Sequence, residues 1–343
     1  MKQLLNTLYI TLPNVYLATS GENIVIKQNG KILVRYPCHN LQDIVLFSYL
    51  GMSPKLIQKC MDYGIGISYL TPTGRFIARL KGESKGNILL RRRQYRMADD
   101  KELCLEISKN IVFAKIYNER WTLERYIRQY NQRIDIKHLK YSSESLAELL
   151  KKVIQVDSMD KLRGLEGTAQ SIYFGCFNDM ILNQKETFEY NGRTRRPPLD
   201  PVNAMLSYVY SILSNDVASA LEAVGLDAYA GFMHTDRPGR ISLALDIVEE
   251  LRAPLGDRFV LALINTNQIS KDDFVYQDNG AVLIKDNSRK KIIKLWQERK
   301  KETLTHPFLK EKIKWGLVPF VQALLLSRYL RDDLDGYPPF TWK

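Results

Sequence analysis

Strand-like patterns dominate the first eighty residues of the chain. The stretch 9–37, "YITLPNVYLATSGENIVIKQNGKILVRYP", alternates short β-branched and aromatic runs with turn residues. Within it, Asn29-Gly30 separates "NIVIKQ" from "KILVRY", and this dipeptide between two such runs is a strong local signal for a β-hairpin. Strand character returns in "IGISYLT" and "GRFIARL", around a turn predicted at 71–74. The region therefore predicts a small β domain.

One short helix interrupts this strand-rich region. In "SPKLIQKCMDYG", Ser53 is suited to cap the helix because its hydroxyl can accept a hydrogen bond from a free N–H of the first turn. Pro54 fits the first helical position, and Gly64 is a typical stop signal at the carboxyl end. We expect a helix between these residues.

Beyond Asn87 the apolar residues adopt the three- and four-residue spacing of helices. The pattern starts in "NILLRRRQYRMADDKELCLEISKNIVFAKIYNERWTLERYIRQY" and continues through 145–190, 201–222, 241–252, 289–303 and 319–333. The change occurs in "RLKGESKGN", which reads as a linker. We predict an α+β fold: a small N-terminal β domain with one short helix over 1–80, a linker over 81–87 and a larger all-α domain over 88–343.

The charge balance of the chain points to a polyanionic partner. The 343 residues include 50 Lys and Arg against 38 Asp and Glu, which gives a formal net charge of +12. Such an excess favours nucleic acid or another negatively charged surface, and it says nothing about the fold. Basic proteins without a nucleic-acid role also exist, so charge alone leaves the partner open.

Cysteine spacing and hydropathy argue against several classes of protein. Cys38, Cys60, Cys104 and Cys176 form no C-x-x-C pair, which argues against a zinc knuckle and against a disulfide framework. The N-terminal run "MKQLLNTLYITLPN" is too short for a signal peptide, and no stretch approaches the ~20 apolar residues of a membrane span. We expect reduced thiols in a soluble, cytoplasmic protein with no membrane partner.

Glu166 lies where a purely structural helix would place an apolar residue. In "MDKLRGLEGTAQSIYFGCFNDM" it falls on the apolar stripe, four residues after Leu162 and three before Ala169. A buried carboxylate without a partner costs several kcal/mol, so the position implies a nearby cation. Gly164 and Gly167 flank it and leave room for a close approach. The cation can be a ligand of the protein or an arginine from another helix.

A second acidic group occurs in "RISLALDIVEELR". Asp246 and Glu249 are three residues apart, so they project from the same side of a helix. Two like charges at this spacing repel each other unless a cation, either a metal ion or a basic group, lies beside them. The alternative is a solvated acidic face that Arg240 and Arg252 neutralise. Arg252 can also orient the carboxylate of Glu249.

His234 precedes this helix in the turn-rich stretch "GFMHTDRPGR". A lone histidine is more often structural than a ligand, but here carboxylates accompany it. One imidazole with two or three carboxylates suits manganese or magnesium better than structural zinc. The sequence contains neither H-E-x-x-H nor G-x-x-x-x-G-K-[ST], which argues against a zincin protease and against a P-loop ATPase.

An arginine-rich loop precedes another strong helix start in "NGRTRRPPLDPVNAMLSYVYSIL". Asp200 before Pro201 fits an N-cap followed by a proline at the first helical position. Arginines beside a helix N-terminus can clamp a phosphate, and a solvated basic loop is the alternative. Tyr208 and Tyr210 have core-like spacing, and one of them can instead reach the site. The candidate DNA-binding arginines are Arg193, Arg195, Arg196, Arg237, Arg240 and Arg252.

Three of these segments carry a resemblance to a known family. "RGLEGTAQSIYF", "RRPPLDPVNAMLSYVYSIL" and "GFMHTDRPGRISLALDIVEELR" occur in this order, and "ISYLTPTGRFIARL" agrees at the end of the β domain. Over essentially its whole length the chain resembles the CRISPR-associated integrases that capture new spacers, the first-numbered of the Cas proteins. The "HTDRPG" turn and the arginine loop look most like the subtype I-C branch. The resemblance implies an N-terminal β domain and a helical C-terminal domain.

The resemblance also implies a set of site residues. Glu166, His234 and Glu249 match the family's metal ligands, and the implied ion is Mg²⁺ or Mn²⁺. The last ligand is aspartate in some members and glutamate here, and one further methylene should be accommodated. Asp246 matches a nearby acidic position that is important for activity, so we count it among the catalytic residues.

The implied activity is integration of DNA. The 3′-hydroxyl of a spacer fragment would attack a phosphodiester at a repeat boundary of the CRISPR array, by direct transesterification. The implied assembly contains homodimers formed through the β domains, and two such dimers flank a dimer of the small second-numbered Cas protein in a heterohexamer. The alternatives are a metal-dependent nuclease that acts on branched DNA with water as the nucleophile, and a nucleic-acid scaffold without catalysis.

Overall fold

The computed structural model of the chain describes residues 7–41, 43–47, 51–72 and 76–343. The chain divides into two compact units. The first comprises Met1–Gly86 and Arg289–Lys301, and the second comprises Asn87–Ser288 and Glu302–Lys343. Part of the turn predicted at 71–74, and residues 81–86 of the predicted linker, lie outside the described residues.

The described residues of the first unit form two four-stranded sheets, ordered β4-β3-β2-β6 and β1-β5-β7-β8. The strands of these two sheets are β1 (Thr7–Ile10), β2 (Val15–Ser20), β3 (Asn23–Gln28), β4 (Lys31–Pro37), β5 (Asp43–Leu46), β6 (Gly51–Met52), β7 (Gly66–Leu70) and β8 (Phe76–Leu80). Their inward residues share one apolar core, which includes Leu17, Ile24, Ile44, Leu46 and Ile67.

The local signals in this unit are confirmed. The predicted hairpin joins β3 to β4 in antiparallel pairing, and both Asn29 and Gly30 have a positive φ. The predicted helix α1 spans Pro54–Asp62, and the Ser53 hydroxyl accepts a hydrogen bond from the N–H of Leu56 at 3.2 Å. Gly64 follows it with a φ of +66°, the left-handed conformation that glycine adopts without strain.

The second unit is built mainly from helices. Between Asn87 and Ser288 they are α2 (Ile88–Asp99), α3 (Lys101–Gln129), α4 (Ile136–Gln155), α5 (Met159–Gly175), α6 (Phe177–Met180), α7 (Pro201–Ala223), α8 (Ser242–Leu251) and α9 (Arg258–Asn265). A π-helical turn, Arg252–Asp257, joins α8 to α9. Helix α3 packs against α4, α5 and α8, so it forms the centre of the unit.

Short strands and two further helices complete this part of the chain. Strand β9 (Phe274–Tyr276) pairs with β10 (Val282–Ile284), and β11 (Thr303–Thr305) pairs with β12 (Lys312–Lys314), both antiparallel. In the order of the chain, helix α10 (Asp286–Lys301) comes between the two pairs, and α11 (Val318–Leu330) follows them. The α+β class is confirmed. The helical region is nevertheless not all-α, since it contains these short strands. The sequence pattern does not predict them because strands of three residues are too short to show a period.

Most of α10 groups with the first unit, although the sequence pattern places it in the helical domain. Ile292, Ile293 and Trp296 are buried. The side-chain amide of Gln297 donates a hydrogen bond to the carbonyl oxygen of Thr7 at 3.4 Å. A sequence pattern shows that a helix has an apolar face, but it does not show which core that face joins.

Hydrogen bonds hold the segment 337–342 against the middle of α3. The side-chain amide of Asn118 donates to the carbonyl oxygens of Phe340 at 2.7 Å and of Glu250 at 2.8 Å. The N–H of Trp342 donates back to Asn118 Oδ1 at 2.8 Å. The N–H of Phe340 donates to the Glu250 carboxyl at 2.8 Å. This set of bonds joins α3, α8 and the segment after α11.

No helix in the described part of the chain is both long and apolar enough to cross a lipid bilayer.

Candidate active site

Asp246 organises the loop that carries His234. It lies on α8 with no exposed surface, and its two oxygens accept three backbone hydrogen bonds from that loop. The donors are the N–H groups of Phe232 at 2.7 Å, Met233 at 3.1 Å and His234 at 3.0 Å. A buried carboxylate is stabilised when several N–H donors surround it. Asp246 therefore holds residues 232–234 in a fixed turn.

The same carboxylate orients the imidazole of His234. Nδ1 lies 2.6 Å from Asp246 Oδ1, and a carboxylate at this distance acts as the acceptor, so Nδ1 carries the proton. The lone pair of the neutral ring is then on Nε2. A carboxylate on one ring nitrogen and a metal on the other is the usual arrangement of histidine ligands in proteins. Asp246 thus positions His234.

Gly231 makes this close packing possible. A Cβ atom at this position would lie 2.8 Å from Ser242 Cβ and 3.0 Å from an oxygen of Asp246. Any side chain would therefore push the loop away from α8, and the carboxylate of Asp246 would lose its N–H donors. The glycine is required by the close approach of two backbones rather than by a positive φ.

A lysine from α3 lies between the two glutamates. Lys115 Nζ forms ion pairs with Glu166 on α5 and with Glu249 on α8, the latter at 2.9 Å. Its side chain is 2% exposed. Burial alone would lower the pKa of this amine, but nearby carboxyl groups, Glu249 foremost, outweigh burial and raise the pKa. The cation that separates these carboxylates in the structure is therefore an ammonium group.

Sequence reasoning missed Lys115, although the chain carries a signal for it. The residue stands between Ala114 and Ile116, both of which are fully buried. A lysine on the apolar face of a helix needs a buried acidic partner, as a glutamate there needs a cation. Its first partner, Glu166, is 51 residues further along the chain, so local spacing cannot identify the pair.

Glu249 is the most strongly paired acid of the group. Its side chain is 4% exposed, and an oxygen lies 3.0 Å from an Arg252 guanidinium nitrogen. Burial raises the pKa of Glu249, but Arg252 and Lys115 overcome this and bring the pKa down to about 2. Lys115 Nζ lies 2.9 Å from the buried Oε2 as an ion-pair partner. Among the described residues no hydrogen bond to this oxygen accompanies the ion pair.

The neighbouring acid Glu119 behaves differently. It lies one helical turn after Lys115 on α3 and is buried, and burial raises its pKa to about 8. At neutral pH this carboxyl group is therefore mostly protonated, so it adds little negative charge. The charged acids beside Lys115 are then Glu166 and Glu249.

The predicted ligands fit a divalent ion, although their present spacing is wider than a coordination sphere. Within the described part of the chain, the ligand atoms of Glu166, His234 and Glu249 do not all lie within 4.8 Å of one another. The donor set is His234 Nε2 with carboxylate oxygens, one of which lacks a hydrogen bond, and this set suits Mg²⁺ or Mn²⁺. Cβ atoms at Gly164 and Gly167 would meet nothing within 4 Å, so the surface beside Glu166 is open.

The arginine loop is only partly available for DNA. Asp200 caps α7 as predicted, since its carboxylate accepts from the N–H of Asn203 at 2.7 Å. Arg193 points inward, where its guanidinium donates to Asn203 Oδ1 at 2.6 Å and stacks on the ring of Tyr210. This differs from the displayed clamp that the sequence suggests, because the composition of a loop does not show which side chains turn inward. Two other arginines of the loop are exposed, namely Arg195 and Arg196.

The remaining arginines also differ in their availability. Arg237 is exposed and Arg240 is half-buried, both in the stretch between His234 and α8. Arg252 is bound to Glu249 and its guanidinium lies 5.0 Å from the ring centre of Tyr210. Tyr210 therefore lies beside the site and supports its arginines, while its hydroxyl donates to the buried carboxyl of Asp257.

The chain matches a family of known proteins over most of its length. The family described as CRISPR associated protein Cas1 matches residues 8–298. A relative from Chlorobaculum tepidum, named CRISPR-associated endonuclease Cas1 1, is 44% identical over 343 residues, which is 100% of both chains.

Two solved structures share the fold. A chain of a Cas6-RT-Cas1–Cas2 complex matches with a TM-score of 0.82 at 24% identity, over 100% of this chain and 37% of that chain. A casposase bound to integration product also matches with a TM-score of 0.82 at 24% identity, over 99% of this chain and 93% of the other. With the family match and the full-length relative, these findings lead to one conclusion: the chain belongs to the Cas1 family.

Proposed function

We propose that this protein is a divalent-metal-dependent DNA integrase of CRISPR adaptation. It joins the 3′-hydroxyl ends of new spacer DNA to the repeat boundaries of a CRISPR array. The observation that carries the proposal is the imidazole of His234, which Asp246 holds through Nδ1 beside the carboxylate-rich cluster. The strongly basic composition, with a net charge of +12, suits a protein that binds two DNA duplexes.

In the proposed mechanism each residue has a separate task. Glu166, His234 and Glu249 would hold the ion, and Asp246 would keep the imidazole in the tautomer that can bind it. A bound Mg²⁺ or Mn²⁺ supplies a Lewis acid that stabilises negative charge on the attacked phosphate. Lys115 balances the carboxylates before an ion enters. Arg252 keeps Glu249 ionised throughout.

The chemistry needs no external energy source. The 3′-oxygen of the spacer forms a bond to the phosphorus at the repeat boundary, and the bond from that phosphorus to the 3′-oxygen of the array strand breaks. The hydroxyl proton leaves with solvent, and the released 3′-oxygen takes one up. One phosphodiester replaces another, which agrees with the lack of a P-loop motif in the sequence.

The proposed assembly follows the implied family arrangement. We propose that the β units form a homodimer and that two dimers flank a dimer of the small second-numbered Cas protein in a heterohexamer. The likeness to a chain of a Cas6-RT-Cas1–Cas2 complex supports this partner. The subtype I-C assignment stays a prediction.

A second candidate is a metal-dependent endonuclease in which water replaces the 3′-hydroxyl. The name of the relative from Chlorobaculum tepidum, an endonuclease, favours this activity. The third candidate, a scaffold that binds nucleic acid without catalysis, would make the organised imidazole of His234 unnecessary. The three differ in their products.

An integration assay separates these functions. A labelled DNA fragment and a plasmid with a CRISPR repeat are incubated with this protein and the small partner, in Mg²⁺, Mn²⁺ or chelator. We expect label to join the plasmid only with a divalent metal. Nicked plasmid without joined label would favour the endonuclease, and bound DNA without any product would favour the scaffold.

The exposed arginines of the loop should contribute phosphate contacts. Replacing both Arg195 and Arg196 with alanine should lower DNA affinity and reduce the slope of log affinity against log salt by about one unit for each lost contact. Arg193→Ala is the contrasting variant, because this side chain binds Asn203 and should affect stability more than the salt slope. An unchanged slope in the double variant would remove the loop from the DNA interface.

A further inference from the structure

A second group of potential metal ligands lies at the C-terminal end of α5. We infer that His138, Cys176 and Asp179 form a site for a zinc-like divalent ion, separate from the candidate active site. His138 is in the first turn of α4, Cys176 joins α5 to α6, and Asp179 is on α6. One ligand atom from each residue lies within 4.8 Å of the others.

The sulfur and one imidazole nitrogen already have the spacing of a zinc site. Cys176 Sγ lies 3.9 Å from His138 Nε2. With bonds of about 2.1 Å to nitrogen and about 2.3 Å to sulfur, tetrahedral zinc places its two ligand atoms about 3.6 Å apart. A shift of a few tenths of an ångström would therefore let these two atoms bind the same ion.

Asp179 fixes the ring so that the correct nitrogen faces the sulfur. Its carboxylate lies 2.7 Å from His138 Nδ1, so Nδ1 carries the proton and the lone pair is on Nε2. A carboxylate on the far ring nitrogen is what orients histidine ligands in known metal sites. In the inferred site His138 and Cys176 bind the ion directly, Asp179 orients the ring, and water completes the coordination.

The burial of the three residues gives the ion a route into the site. The side chains of His138 and Asp179 are 44% and 27% exposed, whereas Cys176 is buried beneath them. Burial raises the pKa of the Cys176 thiol, so the metal-free thiol is protonated and an incoming ion must displace that proton. Soft sulfur with imidazole selects zinc or cobalt over the magnesium that an all-oxygen site would prefer.

An ion at this position would connect elements that matter for the active site. His138 belongs to α4, while Cys176 directly follows α5, the helix that carries Glu166. Cys176 follows Glu166 by about ten residues, or about 15 Å along a helix at 1.5 Å per residue. The inferred ion would therefore fix the end of α5 against α4 without entering the active site.

Cobalt provides a specific test, because a thiolate bound to Co²⁺ gives a sulfur-to-metal charge-transfer band. The donor set proposed for the active site, Glu166, His234 and Glu249, contains no sulfur and cannot produce this band. We expect the intact protein, titrated with Co²⁺, to develop the band to saturation at about one equivalent, and Zn²⁺ to abolish it. No band in the wild-type protein would overturn the inference.

Variants then identify the ligands. Cys176→Ser should abolish the band. Cys104→Ser, at another buried thiol that contacts backbone carbonyls of α2, should retain it. His138→Gln and Asp179→Asn change partly exposed side chains, and each should weaken Co²⁺ binding at least about tenfold. A band that persists in Cys176→Ser, or unchanged affinity in both other variants, would exclude the site. Glu166→Gln should keep the band, which separates this result from the proposed integrase activity.

Discussion

Glu249→Ala will lower the free energy of unfolding by about 3–5 kcal/mol when chemical denaturation is measured without divalent metal. The side chain of Glu249 is buried and paired with both Lys115 and Arg252. Its removal leaves the guanidinium of Arg252 without its carboxylate and leaves the buried ammonium of Lys115 with Glu166 alone. Breaking an ion pair in the interior by removing one partner is strongly destabilising. The acids of the site thus do more than repel each other, because the protein supplies its own cations.

Two further variants make this result specific. Glu166→Ala should cost distinctly less, because its side chain is 19% exposed and its loss leaves Lys115 paired with Glu249. Adding Lys115→Met to Glu249→Ala should recover part of the lost stability, since it removes a buried cation that has lost one of its two carboxylate partners. A Glu249→Ala protein as stable as wild type would show that both cations find other partners.

The pH dependence of the same variant should identify the carboxylate. The pKa of Glu249 falls from its ordinary 4.5 to about 2 in the folded protein. Its contribution is therefore complete above pH 4.5 and is lost as the pH falls towards 2, and this shift corresponds to about 3 kcal/mol. The difference in unfolding free energy between wild type and Glu249→Ala should shrink over this range. A difference that stays constant would contradict the assignment.

Glu166→Gln will reduce strand transfer by more than about 100-fold while the protein stays folded. Glutamine keeps the shape of the side chain, and its carbonyl oxygen can still accept from Lys115, but the negative charge that a divalent ion requires is lost. Isothermal titration with Mn²⁺ gives a second readout that does not depend on DNA, and affinity should fall in parallel.

Glu148→Gln is the matched control for this substitution. Glu148 is an exposed glutamate on α4 whose ion-pair partner, Lys151, is itself exposed, so neither activity nor Mn²⁺ binding should change. If Glu166→Gln integrates DNA and binds Mn²⁺ like wild type, Glu166 is not a ligand. If it binds Mn²⁺ normally but fails to integrate, Glu166 acts on the DNA or on the nucleophile instead.

Local signals account for the parts of the fold that could be predicted. The hairpin at Asn29-Gly30, the capped helix α1 and the N-cap at Asp200 depend on neighbours within a few residues, so the sequence displays them directly. Long periodic segments likewise predict the helices of the second unit. The short strands β9 to β12 and the grouping of α10 depend on distant packing, which spacing along the chain does not encode.

The candidate site could likewise be predicted only in part from the sequence. Glu166 and Glu249 stand out because acids interrupt apolar stripes, and the turn-rich context marks His234. Which groups would neutralise them could not be read from spacing, since Lys115 lies on α3, far from both glutamates in the chain. The role of Asp246 was equally hidden, because its donors are backbone N–H groups of a loop whose path depends on Gly231.

The bonds of Asn118 bear on how the protein folds during synthesis. Asn118 and Phe340 are 222 residues apart in the chain, and Glu250 completes the same set of bonds. Contacts of such long range form late, because a large loop must close before they contribute. A nascent chain that has not yet released residues 337–342 from the ribosome leaves the amide of Asn118 and the carboxyl of Glu250 short of partners. We therefore expect the helical unit to complete its packing only once residues 337–342 have left the ribosome, and helix α8 to stay sensitive to proteases until then.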